Sequence, residues 1–455
     1  MFIKKRDKSF LVPTLVAGLL LAGAVYIFTS SSFEQDEPLI SLDSTSDYWN
    51  LKKPIKLSLS DDSGIKSYKV TMLSQGESSV LYHEQLLEPK KSIELSVEPT
   101  RAISSMKIDE IKLVVEANDA SKWNLFAGNS VTKEYSFKVD KNKPHLNILS
   151  NSYKITKGGS ALVVFQAKDE NLDKLYIDTN FGKKFLAQPF MKDGYYIALI
   201  AWPLREESFS ATLYADDKAG NVSKVHIPLF LQNHKFRVSN ITLSDAFLKG
   251  KIAELAEEFE ETQGVSDDIE RFKIINETIR AKNEKLIYDI TSKVPQDLVE
   301  DFKINKMYPL KNAAAVASHG DHRIFSYGGK VVSDSYHMGL DLASNAMAEI
   351  KPQNGGEVVY TGYNGLYGNM PIIYHGLGLY TLYGHCSSIN VNTGDMVPPL
   401  FPIANSGKSG FAMGDHLHFG IVVQGVEVRP DEWMDANWIK LNITDIITNA
   451  KAVVK

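Results

Sequence analysis

A chain of 455 residues exceeds what one ordinary hydrophobic core can serve and calls for several domains. Its hydrophobic share of 44% and charged share of 23% are globular values, which exclude long disorder and a polytopic membrane protein. The formal net charge of -5 argues against nucleic acid as a partner, because phosphate contacts demand a basic surface. The single cysteine, Cys386, rules out a disulfide framework within the chain and suits an oxidising compartment, where spare thiols are a liability.

The N-terminus carries the first directional signal. Lys4, Lys5, Arg6 and Lys8 precede an apolar run from Leu11 to Phe28, and polar Thr29 to Ser32 and acidic Glu34, Asp36 and Glu37 follow it. This asymmetry predicts a cytoplasmic tail and an exported remainder. The bulky Tyr26, Ile27 and Phe28 leave no small-x-small cleavage site, so residues 1–36 read as a basic tail and uncleaved membrane anchor in preference to a removed signal peptide. The bulk of the chain is then placed in the periplasm or extracytoplasmic space.

From residue 37 to 235 short β-branched runs alternate with clusters of Asp, Asn, Gly and Ser, the rhythm of strands and turns. Leu57–Ile65 resembles Val164–Leu172, and Val114–Ala120 resembles Thr212–Asn221. Both offsets come to about 100 residues, the size of one immunoglobulin-like sandwich. Two such β-sandwiches, 37–140 and 141–235, joined at Asp140–Pro144, are expected. They serve either as binding surfaces for envelope proteins or glycan, or as a spacer.

From Leu243 the period becomes helical. Ser244 is placed to cap a helix whose apolar stripe runs through Phe247, Leu248, Ile252, Leu255, Ala256 and Phe259; Gly264 ends it, and Ser266 is placed to cap a second with Ile269, Phe272, Ile275, Ile279, Leu286 and Ile290. Residues 236–308 therefore read as a helical hairpin linker, set directly before the last domain and suited to regulate it by covering its groove. From 309 to 455 glycine-rich turns separate short strands at Gly355–Tyr360, Met370–Tyr374, Tyr380–Tyr383 and His418–Val423, an antiparallel sheet closed by a short helix from Trp433. The fold class is mainly β and multidomain.

Four histidines of this last region, His337, His385, His416 and His418, stand in a metal-site register. His337 and Asp341 are four apart, and His416 and His418 are two apart, which on a strand places them on one face. Catalytic zinc takes three nitrogen or oxygen ligands and leaves a fourth position open. Two histidines with Asp341 meet that need and leave two histidines for acid–base or oxyanion work, without saying which does which.

The segments His337-Met338-Gly339-Leu340-Asp341-Leu342-Ala343, Tyr383-Gly384-His385 and Gly414-Asp415-His416-Leu417-His418-Phe419-Gly420 resemble, in order, the motifs of the lysostaphin/LytM-type peptidoglycan zinc metalloendopeptidases. Gly356–Tyr360, Tyr367–Asn369, His375–Gly378 and Gly394–Val397 extend the likeness over residues 310–432. The resemblance implies one zinc ion held by His337, Asp341 and His418, catalytic assistance from His385 and His416, and hydrolysis of wall peptides. Where many relatives have phenylalanine-glycine-x-arginine, this chain has His319-Gly320-Asp321-His322-Arg323, so the groove rim there departs from the family pattern. His319, Asp321 and His322 are read as a polar turn rather than a second metal site, Cys386 as a small buried residue, and His375 as structural. His83, His145, His226 and His234 have no partner at useful spacing and are read as bystanders. Competing readings are a non-catalytic envelope scaffold that activates another wall hydrolase, and a peptidase directed at a secreted protein.

Overall fold

The computed structural model describes residues 11–454 apart from 45, 101, 102 and 104–106. The basic residues Lys4, Lys5, Arg6 and Lys8 lie outside the described residues. The apolar run forms one helix, Leu11–Thr29, long and apolar enough to cross a membrane and exposed along its length. The chain forms two compact units, Met1–Lys143 with Asp216–Val222, and Pro144–Ala215 with Ser223–Lys455.

The first unit is built on one continuous six-stranded sheet instead of two separate sheets. Its spine is a hairpin of unusual length, Ile55–Ser74 against Glu77–Val97, turned by Gln75 and Gly76, both with positive φ (49° and 84°), the backbone that a two-residue hairpin loop demands. Register shifts between Ser60 and Ser67 bend the long strand, and Glu110–Asp119 and Ser130–Val139 continue the sheet. Alternate residues Leu57, Leu59, Val70, Met72, Leu113 and Val115 fill its core.

The second unit begins with two four-stranded sheets. One has the order 184–186, 172–179, 211–217, 222–226; the other has 188–189, 195–201, 160–168, 145–151. The strand Ser160–Lys168 is buried at every position from Ser160 to Phe165, because both of its faces have partners. The C-terminal stretch supplies one of them. It is helical from Pro430 to Val454 with one break at Asp435, longer than the short helix expected, since Ile443, Ile446, Ile447 and Ala450 join the core of these sheets. That core continues without interruption into the last domain through Leu340, Ile373, Tyr383, Phe419 and Trp433.

Two helical segments follow, Asp245–Ala256 and Asp268–Thr291, each interrupted by a π-helical turn. Ser244 Oγ accepts from Phe247 N at 3.2 Å, as its position suggests. The second cap is Asp267 and not Ser266, because its carboxylate accepts from both Ile269 N and Glu270 N, at 2.8 and 3.0 Å. The first segment stops at Ala256, ahead of Gly264, where Thr262 Oγ1 donates to the Ala256 carbonyl and ends the ladder.

The last domain is an eight-stranded sheet in the order 314–317, 340–343, 417–423, 379–384, 369–374, 356–363 and 396–397, with 426–428 paired to 417–423. All of its pairings are antiparallel. Leu417–Val423 is buried throughout, so this central strand is rigidly placed.

Glu432 ties this domain to the sheets before it. Its carboxylate accepts from Ser160 N at 3.0 Å and sits against Gly159, where a Cβ would lie 2.3 Å from Oε1. Burial is the main cause that raises its pKa from 4.5 to about 7, against the lowering effect of the Ser160 hydrogen bond. A raised carboxyl pKa stabilises the fold below the unfolded value, and that stability is lost as pH climbs toward the folded one. Unfolding by denaturant should therefore show stability falling between pH 4.5 and about 7, a change that Glu432→Gln removes. The part assigned to this group is about 3 kcal/mol at most.

Candidate active site

Strand register brings the sequence motifs together. Asp341 on 340–343 pairs directly with His418 on 417–423, and His418 pairs on its other side with Gly384, the residue before His385. His337 follows the hairpin strand Lys330–Tyr336 and is fixed by backbone bonds, Gly320 N to its carbonyl at 2.7 Å and its own N to the Asp321 carbonyl at 3.0 Å.

His337 Nε2, Asp341 Oδ1 and His418 Nδ1 form a triangle with sides of 2.9, 2.9 and 3.1 Å. All three side chains are buried. His337 Nδ1–H donates to the Ser318 carbonyl at 2.9 Å, which leaves a lone pair on Nε2 facing a carboxylate oxygen. One proton from His418 Nδ1 serves only one side of that triangle, so a neutral network leaves two acceptors in contact. A cation bound to all three atoms would satisfy them at once, and the donor set of two imidazoles and a carboxylate suits a divalent metal. For Asp341, burial alone would raise the pKa; the two imidazoles of His337 and His418 packed against its carboxylate outweigh it and hold the carboxyl well below the usual range.

His385 and His416 stand beside this group. Their rings lie 4.7 Å apart, and the His385 ring is 5.8 Å from that of His418. His385 has φ +64°, a backbone that a non-glycine residue adopts only when its surroundings impose it. Its Nδ1–H donates to the Ser409 carbonyl at 2.8 Å, and the Nδ1–H of His416 donates to the Gly414 carbonyl at 2.8 Å, so both rings have Nε2 free for the cavity. Burial, reinforced by His418 and His416, lowers the His385 pKa to about 3. His416 Nε2 lies 3.7 Å from Asp341 Oδ1. Asp415, unremarked as a positioning residue in the sequence, accepts from Ser406 Oγ at 2.6 Å and from Met347 N at 2.9 Å and so pins the segment that carries His416.

The five residues open on a cavity of about 240 Å³ that is also lined by Arg280, Arg323, Met338, Leu366, Tyr367, Phe411 and Met413. Tyr367 packs edge-on against the His418 ring at 5.3 Å. Arg280 comes from the helical segment, where no motif pointed to it. That segment packs on the domain itself: Asn283 Oδ1 accepts from Leu366 N at 2.9 Å, and Phe247 meets Phe411 at 6.0 Å.

The remaining candidates fall outside this group. His319 Nδ1–H donates to the Met338 carbonyl, Asp321 accepts from Ser239 Oγ, and His322 pairs with Asp334, so the three do not converge. Cys386 is fully buried, its Sγ–H directed at the Tyr383 carbonyl, and burial pushes its thiol up to about 12, which makes it inert. His375 is held by the Gly355 carbonyl and Thr381 Oγ1, both at 2.8 Å. Among the bystanders, His234 packs edge-on against Phe236.

Residues 335–430 match the model of peptidase family M23, so the chain carries an M23 (LytM-type) peptidase domain; members of this family are generally metallopeptidases. Among curated proteins the chain is 33% identical over 130 residues to the peptidoglycan DD-endopeptidase ShyA of Vibrio cholerae, covering 29% of each chain. It is 31% identical over 108 residues to the murein hydrolase activator EnvC of Escherichia coli, covering 24% of this chain and 26% of that protein. The chain thus spans less than a third of the length of these relatives. Among solved structures, the catalytic domain of lysostaphin from Staphylococcus simulans is 25% identical, with 27% of this chain and 92% of that one covered and a TM-score of 0.23.

Gly339 allows the cluster to close: a Cβ there would lie 2.5 Å from His418 Nε2 and 2.8 Å from the Phe419 carbonyl. Gly339→Ala should displace the His418 ring and cost about 1–3 kcal/mol, the range for overpacking a filled core. A crystal structure of the variant and its denaturant midpoint check both.

Proposed function

We propose that the chain is a zinc metalloendopeptidase that hydrolyses peptide cross-links or stem peptides of bacterial peptidoglycan during cell-wall remodelling. The observation that carries this reading is the buried triangle of His337, Asp341 and His418, which lines one cavity together with two further imidazoles. The M23 domain and the relative described as a peptidoglycan DD-endopeptidase support it. The apolar Leu11–Thr29 helix supports anchorage in the cytoplasmic membrane, with the remaining chain in the periplasm or extracytoplasmic space. The two β regions serve as spacer or docking units for other envelope components.

His337 Nε2, Asp341 Oδ1 and His418 Nδ1 would hold one zinc ion, which supplies Lewis acidity toward the scissile carbonyl and the attacking water. His385 and His416, each with Nδ1–H tied to a backbone carbonyl, present Nε2 to the cavity. One such nitrogen accepts a proton from the attacking water and returns it to the leaving amine; the other, protonated, donates to the carbonyl oxygen as it gains negative charge. The fixed backbone acceptors at Ser409 and Gly414 hold both rings in the orientation this requires. The roles divide by position: His337, Asp341 and His418 bind metal, and His385 and His416 are catalytic.

The alternative is a non-catalytic scaffold that activates another wall hydrolase, favoured by the similarity to a protein described as a murein hydrolase activator. Metal analysis together with digestion of purified wall material separates the two. The enzyme reading expects one zinc per chain and new muropeptides; an unchanged muropeptide profile selects the scaffold. Replacing His337, Asp341 or His418 by Ala should abolish zinc retention, whereas His385→Ala and His416→Ala should keep the metal and lower kcat by about 10²–10³-fold, the usual loss for one stabilising donor.

Regulation by the helical segment belongs to the same proposal. Arg280 lines both the groove and the adjoining 270 Å³ cavity, and Phe247 lines the latter, so a shift of these helices changes their width. In the full exported chain Phe247→Ala, which removes the ring contact with Phe411, should change the rate on the same wall substrate; an unchanged rate removes the regulatory role.

A further inference from the structure

The cavity beside the histidines has a charge imbalance that hydrolysis of a neutral peptide bond does not explain. Two guanidinium groups, Arg280 and Arg323, line it against one carboxylate, Asp341. Arg280 is held rather than loose. Its Nε donates to the Asn276 carbonyl at 3.1 Å and its Nη2 to Asn276 Oδ1 at 2.9 Å; Asn276 in turn donates to Ser333 Oγ at 2.8 Å and to the Asp334 carbonyl at 3.2 Å. One edge of the planar fork is thereby fixed, and the remaining N–H groups stay available.

Arg280 also lacks a direct carboxylate partner among the described residues. The carboxyl groups that act on it are Glu284 and Glu427, and neither forms an ion pair with it among the described residues. Glu284 is engaged at 4.0 Å with Arg205, and burial raises the Glu427 carboxyl well above its usual range. Arg323, the other cation of the cavity, repels Arg280. It is oriented by Asp321 Oδ2 at 3.4 Å and by Asp341 Oδ2 at 3.9 Å. Two like charges facing one cavity are costly unless an anion enters between them. Planar guanidinium forks match a carboxylate in bidentate fashion.

We infer that Arg280 and Arg323 form a carboxylate-binding subsite, so that this peptidase selects wall peptides with a free carboxylate close to the scissile bond over the same peptides with that group amidated. The inference rests on the peptidase reading above and adds the chemistry of the preferred substrate. Arg280 lies outside the matched residues 335–430, so this selectivity belongs to the full chain and not to the M23 domain alone.

The test uses the full exported chain with two wall peptides that differ only in a free or amidated carboxyl group. The wild-type kcat/KM should favour the free acid by about tenfold or more, the worth of a charge-assisted hydrogen bond. Arg280→Gln should bring that ratio to about one, mainly through KM, and Arg280→Lys should recover part of it, since a point charge replaces a fork. A wild-type ratio near one, or a ratio unchanged in Arg280→Gln, overturns the subsite. If the wild-type chain cuts neither peptide, the peptidase reading fails by itself, and calorimetric titration of both peptides then judges the arginines separately. Tighter binding of the free acid that disappears in Arg280→Gln upholds the subsite, and equal binding overturns it. Thermal melting verifies that the variant folds; if it does not, Arg323→Gln takes its place with the same two outcomes.

Discussion

Two imidazole nitrogens and a carboxylate oxygen packed within about 3 Å of one another, away from water, are the constraint on which the rest of this structure depends. Such a cluster exists only where strong packing imposes it. The central strand Leu417–Val423 is buried along its whole length, and its neighbours fix Asp341 on one side of His418 and Gly384 on the other. Gly339 removes a Cβ that would block the His418 ring, and backbone carbonyls at Ser318, Ser409 and Gly414 orient the other imidazoles. The sheet therefore works as a rigid frame in which few side-chain torsions remain free.

The same frame explains why the domain does not stand alone. Its core runs into the two four-stranded sheets of residues 145–226, and Glu432, Trp433 and Gln424 bond across to Ser160, Leu186 and Leu199. The helical segment closes the opposite requirement: it packs on Leu366 and Phe411 and contributes Arg280 to the groove. The lining of the groove and the stability of the fold thus draw on residues far outside the matched M23 region.

Much of this was legible before any coordinates. Strand and turn rhythm located 356–363, 369–374, 379–384 and 417–423, because glycine turns and alternating β-branched residues are local signals. Helical period located 245–256 and 268–291 for the same reason, and Ser244 sits where a cap must be. The histidine and aspartate spacings marked the five polar residues that meet in the groove, since a metal site needs donors at set intervals along strands. Boundaries were less legible: Asp267 displaced Ser266 as a cap, and the C-terminal helices run to Val454, because side-chain competition and distant apolar partners decide such ends.

What the sequence determined by itself is the rhythm of the elements and the polar residues that stand at close spacing, for these follow from neighbours along the chain. Tertiary structure alone decided that the first β region is one continuous sheet, that the second shares its core with the last domain, and that Arg280 reaches the cavity. The physical reason is common to all three: each depends on contacts between residues tens to hundreds of positions apart, whose geometry is set by packing and strand register, and neither leaves a periodic trace in the sequence.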